Sequence, residues 1–218
     1  MVARKANTPT LTREQIISAA IAIVDRGSLD ALSLRRLASE LGVGTMTLYY
    51  HVPDKAALYD LIFEAVMSEM DVPDASPDAS AEDRILSVAY ALRNALLKHV
   101  NAAPIALTQP MNTPGQLRPI EKLLGILFEL GLDATDATVA VEVVGQYIIG
   151  ATVIYANRIA GTDDNAEPSG SVPDGISPEE FPNLMRMMSE AGYMGWDEPF
   201  DRGLRALIKG LILDKLRG

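Results

Sequence analysis

Between Ala137 and Ala156 the chain places a single charge, Glu142, in 20 consecutive residues. A helix of that composition is apolar around most of its circumference. It has two stable surroundings: a bilayer, which about 20 apolar residues suffice to cross, or protein on every side. Glu142, Gln146 and Asn157 are costly in lipid. There is one such segment, and no basic cluster flanks it. The expectation is therefore a helix buried in a domain core and a subunit interface at once, with no membrane partner.

The rest of the chain is also patterned for helices, with no convincing strand pair and no internal repeat. Thr12 and Gln15 form a capping box, each side chain satisfying a free backbone N–H. Ile16, Ile17, Ala20, Ile23 and Val24 then share one face, and Gly27 supplies a stop. Ser33 caps a second short helix with Leu34, Leu37, Ala38 and Leu41 inward and Gly42 after it. A third helix spans about 44–50, and His51, Val52 and Pro53 break it. Asp54 caps a fourth, through about Met70. Residues 71–80 read as a Pro/Asp/Ser linker. Ser80 with Asp83 opens a long helix to about Asn101, with Ile85, Val88, Ala89, Leu92 and Leu96 on one face. Pro104, Pro110 and Pro114 make 102–117 a loop or a broken helix. Ile120, Leu123, Leu124, Leu127 and Leu130 have helical spacing, closed by Gly131. The apolar helix follows at about 135–160, then a stretch with the composition of a mobile loop at 161–179, a short helix at 180–191 and a last one at 199–216.

Composition removes whole classes of function. With no Cys there is no disulfide framework, no Cys-ligated zinc and no thiol nucleophile. Only His51 and His99 are present, which excludes a His-rich metal site. No Ser-x-x-Lys, His–carboxylate constellation or glycine-rich phosphate loop argues for an enzyme. MVARKANTPT has no apolar stretch before Leu11, so no secretory signal is expected and a cytoplasmic protein is. The net charge of −10 is unevenly spread. Residues 1–58 carry seven Lys/Arg against five Asp/Glu, and the other 160 carry 12 against 24. A locally basic region of an acidic protein can still bind DNA, since screening confines each field to ~8 Å.

The segment SLRRLASELGVGTMTLYYHVPDK, 33–55, carries the chemistry. Ala38, Gly42 and Leu48 fit a helix-turn-helix: a small residue for close approach, a glycine for the turn and an apolar seal on the second helix. That second helix leaves Thr45, Met46, Thr47, Tyr49 and Tyr50 pointing outward. A surface of hydroxyls and aromatics suits a major groove better than a core, although Tyr49 also fits beneath the helix pair. The run from Leu11 to Ile62, above all Leu48-Tyr49-Tyr50-His51-Val52 followed by Asp54, Lys55 and Leu58, resembles the DNA-binding domain of the tetracycline-repressor (TetR) family. Phe200, Gly203, Leu204, Leu207, Ile208 and Gly210 resemble the last helix of the repressors nearest the tetracycline repressor itself.

The resemblance implies an all-α protein. Residues 1–54 would form a three-helix helix-turn-helix domain, 55–70 a connecting helix and 71–218 a ligand-binding and dimerisation domain. It implies that Ser33 and Arg35 touch backbone and base edges, that Thr45, Met46 and Thr47 read bases, and that Tyr49, Tyr50 and His51 meet phosphates or thymine methyls. Lys55 would anchor a phosphate at a helix N-terminus. Arg36 reads as a solvated charge, and Arg4 and Lys5 as a flexible arm. The expected partners are double-stranded operator DNA, a small-molecule effector and a second copy of the chain. The alternative is a helical ligand-binding or interaction module that never meets DNA.

In the nearest repressors the effector is a magnesium–tetracycline chelate. Here Ala106 falls where the metal-coordinating imidazole sits, Gln146 at a second imidazole and Ile154 at a carboxylate. The sequence departs from the chelate, so neither a metal nor another cofactor is expected. The remaining positions, Val88, Leu92, Met111, Leu123, Leu127, Ile149 and Ile154, suit a mostly apolar molecule, with Thr108 and Gln146 for polar contacts. Gln146 is an amide in an apolar run and needs a partner. His99 lies in the last turn of its helix, where the dipole favours a cation.

Overall fold

The computed structural model describes residues 11–73, 76, 78–161, 177–191, 195 and 197–213. Among these are nine α-helices and no strand: α1 Arg13–Asp25, α2 Leu34–Glu40, α3 Thr45–His51, α4 Lys55–Ser68, α5 Ala81–Lys98, α6 Pro114–Glu129, α7 Ala134–Gly161, α8 Pro182–Ala191 and α9 Asp197–Ile208. Short 3₁₀ turns occupy Leu29–Ala31 and Ala103–Leu107, and a π turn Lys209–Leu213 follows α9. The proposed arm Arg4–Lys5, residues 162–176 of the loop expected at 161–179, and residues 214–216 of the expected last helix lie outside the described residues.

Local chemistry sets most boundaries. Thr12 and Gln15 make the reciprocal capping box. Ser33 accepts from the Arg36 N–H, Asp54 from Ala57 and Ser80 from Asp83. Gly42 and Gly131, at φ 65° and 86°, end α2 and α6 in the left-handed conformation. The Val43 N–H then bonds back to Ala38 O, and Leu132 to Leu127 O, which satisfies carbonyls the helices leave free. Gly27 keeps a negative φ, so α1 stops at its Arg26 cap without that device.

Three expected boundaries are corrected. The stretch 102–117 is a 3₁₀ turn followed by a helix that already begins at Pro114. Thr113 and Gln116 form a second capping box there, and Pro at the first helical position loses no hydrogen bond. α5 ends at Lys98 rather than near Asn101. α9 starts two residues earlier than expected and gives way to the π turn at Lys209.

One buried cluster runs from Leu11 to Ile212. α1, α2 and α3 close around Ile16, Leu37, Ala38 and Leu48 to form a head, and α4 packs on α1. α4 also packs on α5 and α6, which lie against each other and against α7, so this helix belongs to both halves. In the body α7 presents Ala137, Ala140, Val144, Ile148, Thr152 and Ala156 inward, a stripe of roughly four-residue spacing.

α9 is fastened to α5 and α7 by a polar seam. Buried Arg93 donates to Asp197 at 2.6 Å and stacks on Phe200 and Tyr155. Tyr90 donates to Asp201 at 2.9 Å. Arg205 donates to the same carboxylate at 2.7 Å and to Glu82 at 2.8 Å. The Tyr147 hydroxyl donates to the carbonyls of Pro199 and Phe200. Gly203 sits against that hydroxyl so closely that a Cβ there would overlap it.

Candidate functional site

α3 is seven residues long and buries one of them, Leu48. Gly42, at φ 65°, turns the chain between α2 and α3, and Leu48 is fully buried. Everything else on the helix faces out. Met46 is 81% exposed and Tyr50 89%. Thr45, Thr47 and His51 are exposed beside them, and Tyr49 is 44% exposed, which puts it on the surface with only part of its ring covered. His51 is the last residue of α3 rather than its breaker, and its ring meets Tyr50 edge-on at 5.5 Å.

The flanks of this surface are cationic. Lys55 opens α4 with its ammonium 5.3 Å from the centre of the Tyr59 ring. Asp54 already occupies one N–H of that helix end, so a phosphate there would share it with a carboxylate. Ser33 and Arg35 are exposed at the start of α2, where they line an open groove with Arg36, Ser39 and Glu40. Arg36 donates to Ala31 O at 3.4 Å, and Arg26 is paired with Glu40 at 2.7 Å. Exposed aromatic and hydroxyl groups thus occupy α3, with exposed cations on α2 and at the start of α4.

The body offers a different surrounding. Val88 and Leu92 on α5 and Leu123 and Leu127 on α6 are buried together, with Met111 and Ile149 half-buried at the edge. Thr108 and Gln146 are exposed, and Ile154 is 57% exposed on the outer side of α7. Gln146, the amide expected to need a partner, is exposed. The residue sits off the inward stripe, and its amide reaches Glu142 one turn away at 3.5 Å. Ala106 is buried, and no group of three His, Asp or Glu able to hold a metal occurs among the described residues.

Two polar side chains that the sequence reading passed over lie fully buried in the body. Gln116 accepts the N–H groups of Asn112 and Thr113 through Oε1, which leaves Nε2 without a partner. Thr152, on the inward stripe of α7, has an unpartnered hydroxyl. A buried polar group left without a partner costs about 1–3 kcal/mol, so each is a place where a bound molecule or water would be held. Neither stands out in sequence, since one falls in a proline-punctuated stretch that reads as a loop or a broken helix and the other is a small residue in an apolar run.

Residues 16–62 match the family described as bacterial regulatory proteins, tetR family, and residues 73–213 match the tetracyclin repressor-like C-terminal domain. The chain belongs to the TetR family. An HTH-type transcriptional regulator of Saccharopolyspora erythraea is 32% identical, over 93% of this chain and 85% of that one. The class D tetracycline repressor protein of Escherichia coli is 30% identical, over 92% of this chain and 88% of that one. The crystal structure of the TetR-family protein ActR of Streptomyces coelicolor, in complex with actinorhodin, superposes with a TM-score of 0.79 at 29% identity, covering 92% of this chain and 96% of that one. As a TetR-family protein the chain is a transcriptional regulator with a helix-turn-helix head and a ligand-binding body, and not an enzyme.

Proposed function

We propose that this regulator is a repressor that binds a palindromic operator as a homodimer and is released by a small, mostly apolar effector. The observation that carries the DNA half is α3 itself, a helix that buries one residue and exposes Met46 and Tyr50 between threonines and cations. Thr45, Met46 and Thr47 would face base edges. Ser33, Arg35, Tyr49, Tyr50, His51 and Lys55 would hold the backbone and thymine methyls.

A single head makes too few contacts for a specific site. Two related by a two-fold axis would read half-sites about one turn, ~34 Å, apart or somewhat more. The exposed side of α7 supports this pairing. Of its most apolar stretch only 33% is buried within the chain, and Val139 and Ile154 stand in the open. Val139 and Ala140 also line a groove with Gly210 and Leu211 beyond α9. Two copies packed through α7 and the last helix would form a four-helix interface. In this reading residues 1–54 read DNA in the cytoplasm, 55–70 connect, and 71–218 bind ligand and dimerise.

The effector would lie among Val88, Leu92, Leu123 and Leu127, bordered by Met111 and Ile149, with the Gln116 amide and the Thr152 hydroxyl as its polar anchors. Thr108, Gln146 and Ile154 would reach it only from the rim. Gln116 Nε2 is a donor, so the ligand must present an oxygen acceptor there. The ActR structure with actinorhodin bound supports a small-molecule effector for this body. Ligand binding would favour the state with the wrong head spacing and weaken the operator complex by that difference in affinity.

Selection from a random duplex pool with the purified protein at two salt concentrations tests the DNA half. Enrichment of an inverted repeat with half-site centres about one turn apart, or slightly wider, is expected. Absence of binding even at low salt would refute the reading. For the effector, titration calorimetry with magnesium–tetracycline should give no sub-micromolar constant, because Ala106 offers no imidazole to the metal.

A further inference from the structure

The head meets the body at a polar junction that neither the DNA surface nor the effector core uses. His99, the residue that caps α5, is 14% exposed at its side chain and lies between two carboxylates. Its Nδ1 is 3.0 Å from Asp25 Oδ2, on the last residue of α1. Its Nε2 is 3.2 Å from Glu69 Oε1, on the residue that caps α4. Three helices from both halves therefore end on one imidazole. Beside it the Asn101 amide donates to Val24 O and Asp25 O, the last carbonyls of α1.

The hydrogen-bond inventory decides what this ring must be. An ionised carboxylate only accepts, and a neutral imidazole has one donor and one acceptor. Both ring nitrogens face carboxylate oxygens, so both contacts form only when the ring carries two protons. The other charged groups nearby agree. Lys98 on α5 lies 3.6 Å from Glu69, Arg26 beyond α1 is turned away to Glu40, and Ala103–Leu107 carries no charge. Asp25 and Glu69 also sit at helix C-termini, where the dipole opposes an anion and favours a cation between them.

We propose that His99 is a proton-dependent clamp that fixes the orientation of the DNA-reading head on the body. While the ring is doubly protonated it ties α1 and α4 to the end of α5. When it loses a proton as pH rises, one nitrogen presents a lone pair to a carboxylate, that arm is released, and the head is held by the remaining arm, Asn101 and apolar packing. Histidine is the side chain that makes this change in the physiological range. The proposal concerns the attachment of the head and stands whether or not the operator reading holds.

Because the chain has no Cys, spin labels can be placed cleanly. Ser39→Cys on α2 and Asn94→Cys on α5, both exposed, report the head–body distance when labelled protein is mixed with excess unlabelled protein. The distance distribution is expected to be about twofold broader near pH 8 than near pH 5.5. In His99→Gln it should be broad at both. Asp25→Asn is the decisive variant. An amide can donate to the unprotonated nitrogen, so this variant should stay narrow at both pH values, which a merely structural histidine would not produce. A distribution that ignores pH in the parent protein, or a pH response retained in His99→Gln, would overturn the proposal. So would an Asp25→Asn variant that broadens like the parent.

Discussion

α3 exposes Met46, Tyr49 and Tyr50 within seven residues, and α7 exposes Val139, Ile154 and Ile159 along 28. On α3 the apolar groups alternate with Thr45, Thr47 and His51 and are flanked by Lys55. On α7 the neighbours are Ala, Val, Gly and Ile, and the charges and amides are few. Exposed apolar surface therefore points to two kinds of partner in one molecule. A mixed surface suits a groove that offers methyls, base edges and phosphates. A uniform apolar one suits a second copy of itself, since a lone chain gains nothing by leaving it wet.

The largest test of that contrast removes the one residue α3 buries. Leu48→Ala should cost about 2–5 kcal/mol of head stability and abolish DNA binding, while dimerisation through α7 survives. Thermal unfolding and sedimentation measured on the same variant separate the two. Ile154→Asp should do the reverse. It places a charge on the proposed copy–copy surface and should weaken the dimer by about 2 kcal/mol, roughly thirtyfold, with the head still folded. A variant that stays dimeric at low concentration would show that α7 is covered by something else.

Smaller effects probe how α9 is held. Gly203→Ala pushes a methyl into the Tyr147 hydroxyl and should cost about 1–3 kcal/mol in thermal or urea unfolding. Burial raises the Tyr147 phenol above its ordinary 10.0. It also raises Tyr90, with help from the hydrogen bond to Asp201. Both favour the neutral phenol in the folded chain, so their contribution is full below pH 10 and is lost as pH rises through the raised values. On the acid side the Arg205 hydrogen bond holds Asp201 below 3.8, and that contribution is present above about pH 4 and lost as pH falls further. α9 should therefore loosen at both extremes, with phenolate absorbance and loss of helical signal rising together at the alkaline one. Lys55→Ala is the mildest change. It should leave stability within about 0.5 kcal/mol and lower the salt slope of DNA binding by about one.

Sequence legibility follows the range of the interaction. The caps at Thr12, Ser33, Asp54 and Ser80 could be read because each partner is three residues away. Gly42 and Leu48 were legible because the helix-turn-helix pattern they form with Ala38 fits within eleven residues. Pro114 misled because proline opens a helix as readily as it breaks one, and only the capping box around it decides. On α7 the period is plain but the phase is not. A helix with apolar residues on all sides does not declare which face turns inward, and Gln146 and Ile154 lie on its exposed side. Asp25 and Glu69 lie 74 and 30 residues from His99, and no local pattern joins them.

The central claim is that two heads are carried at a fixed spacing by one apolar interface. Its most direct test is the mass of the complex formed on the duplex that selection enriches, for the parent protein and for Ile154→Asp. The account predicts two chains per inverted repeat for the parent, and for the variant a complex on the same duplex weakened by roughly thirtyfold. One parent chain per duplex, or an Ile154→Asp complex as tight as the parent's, would contradict it.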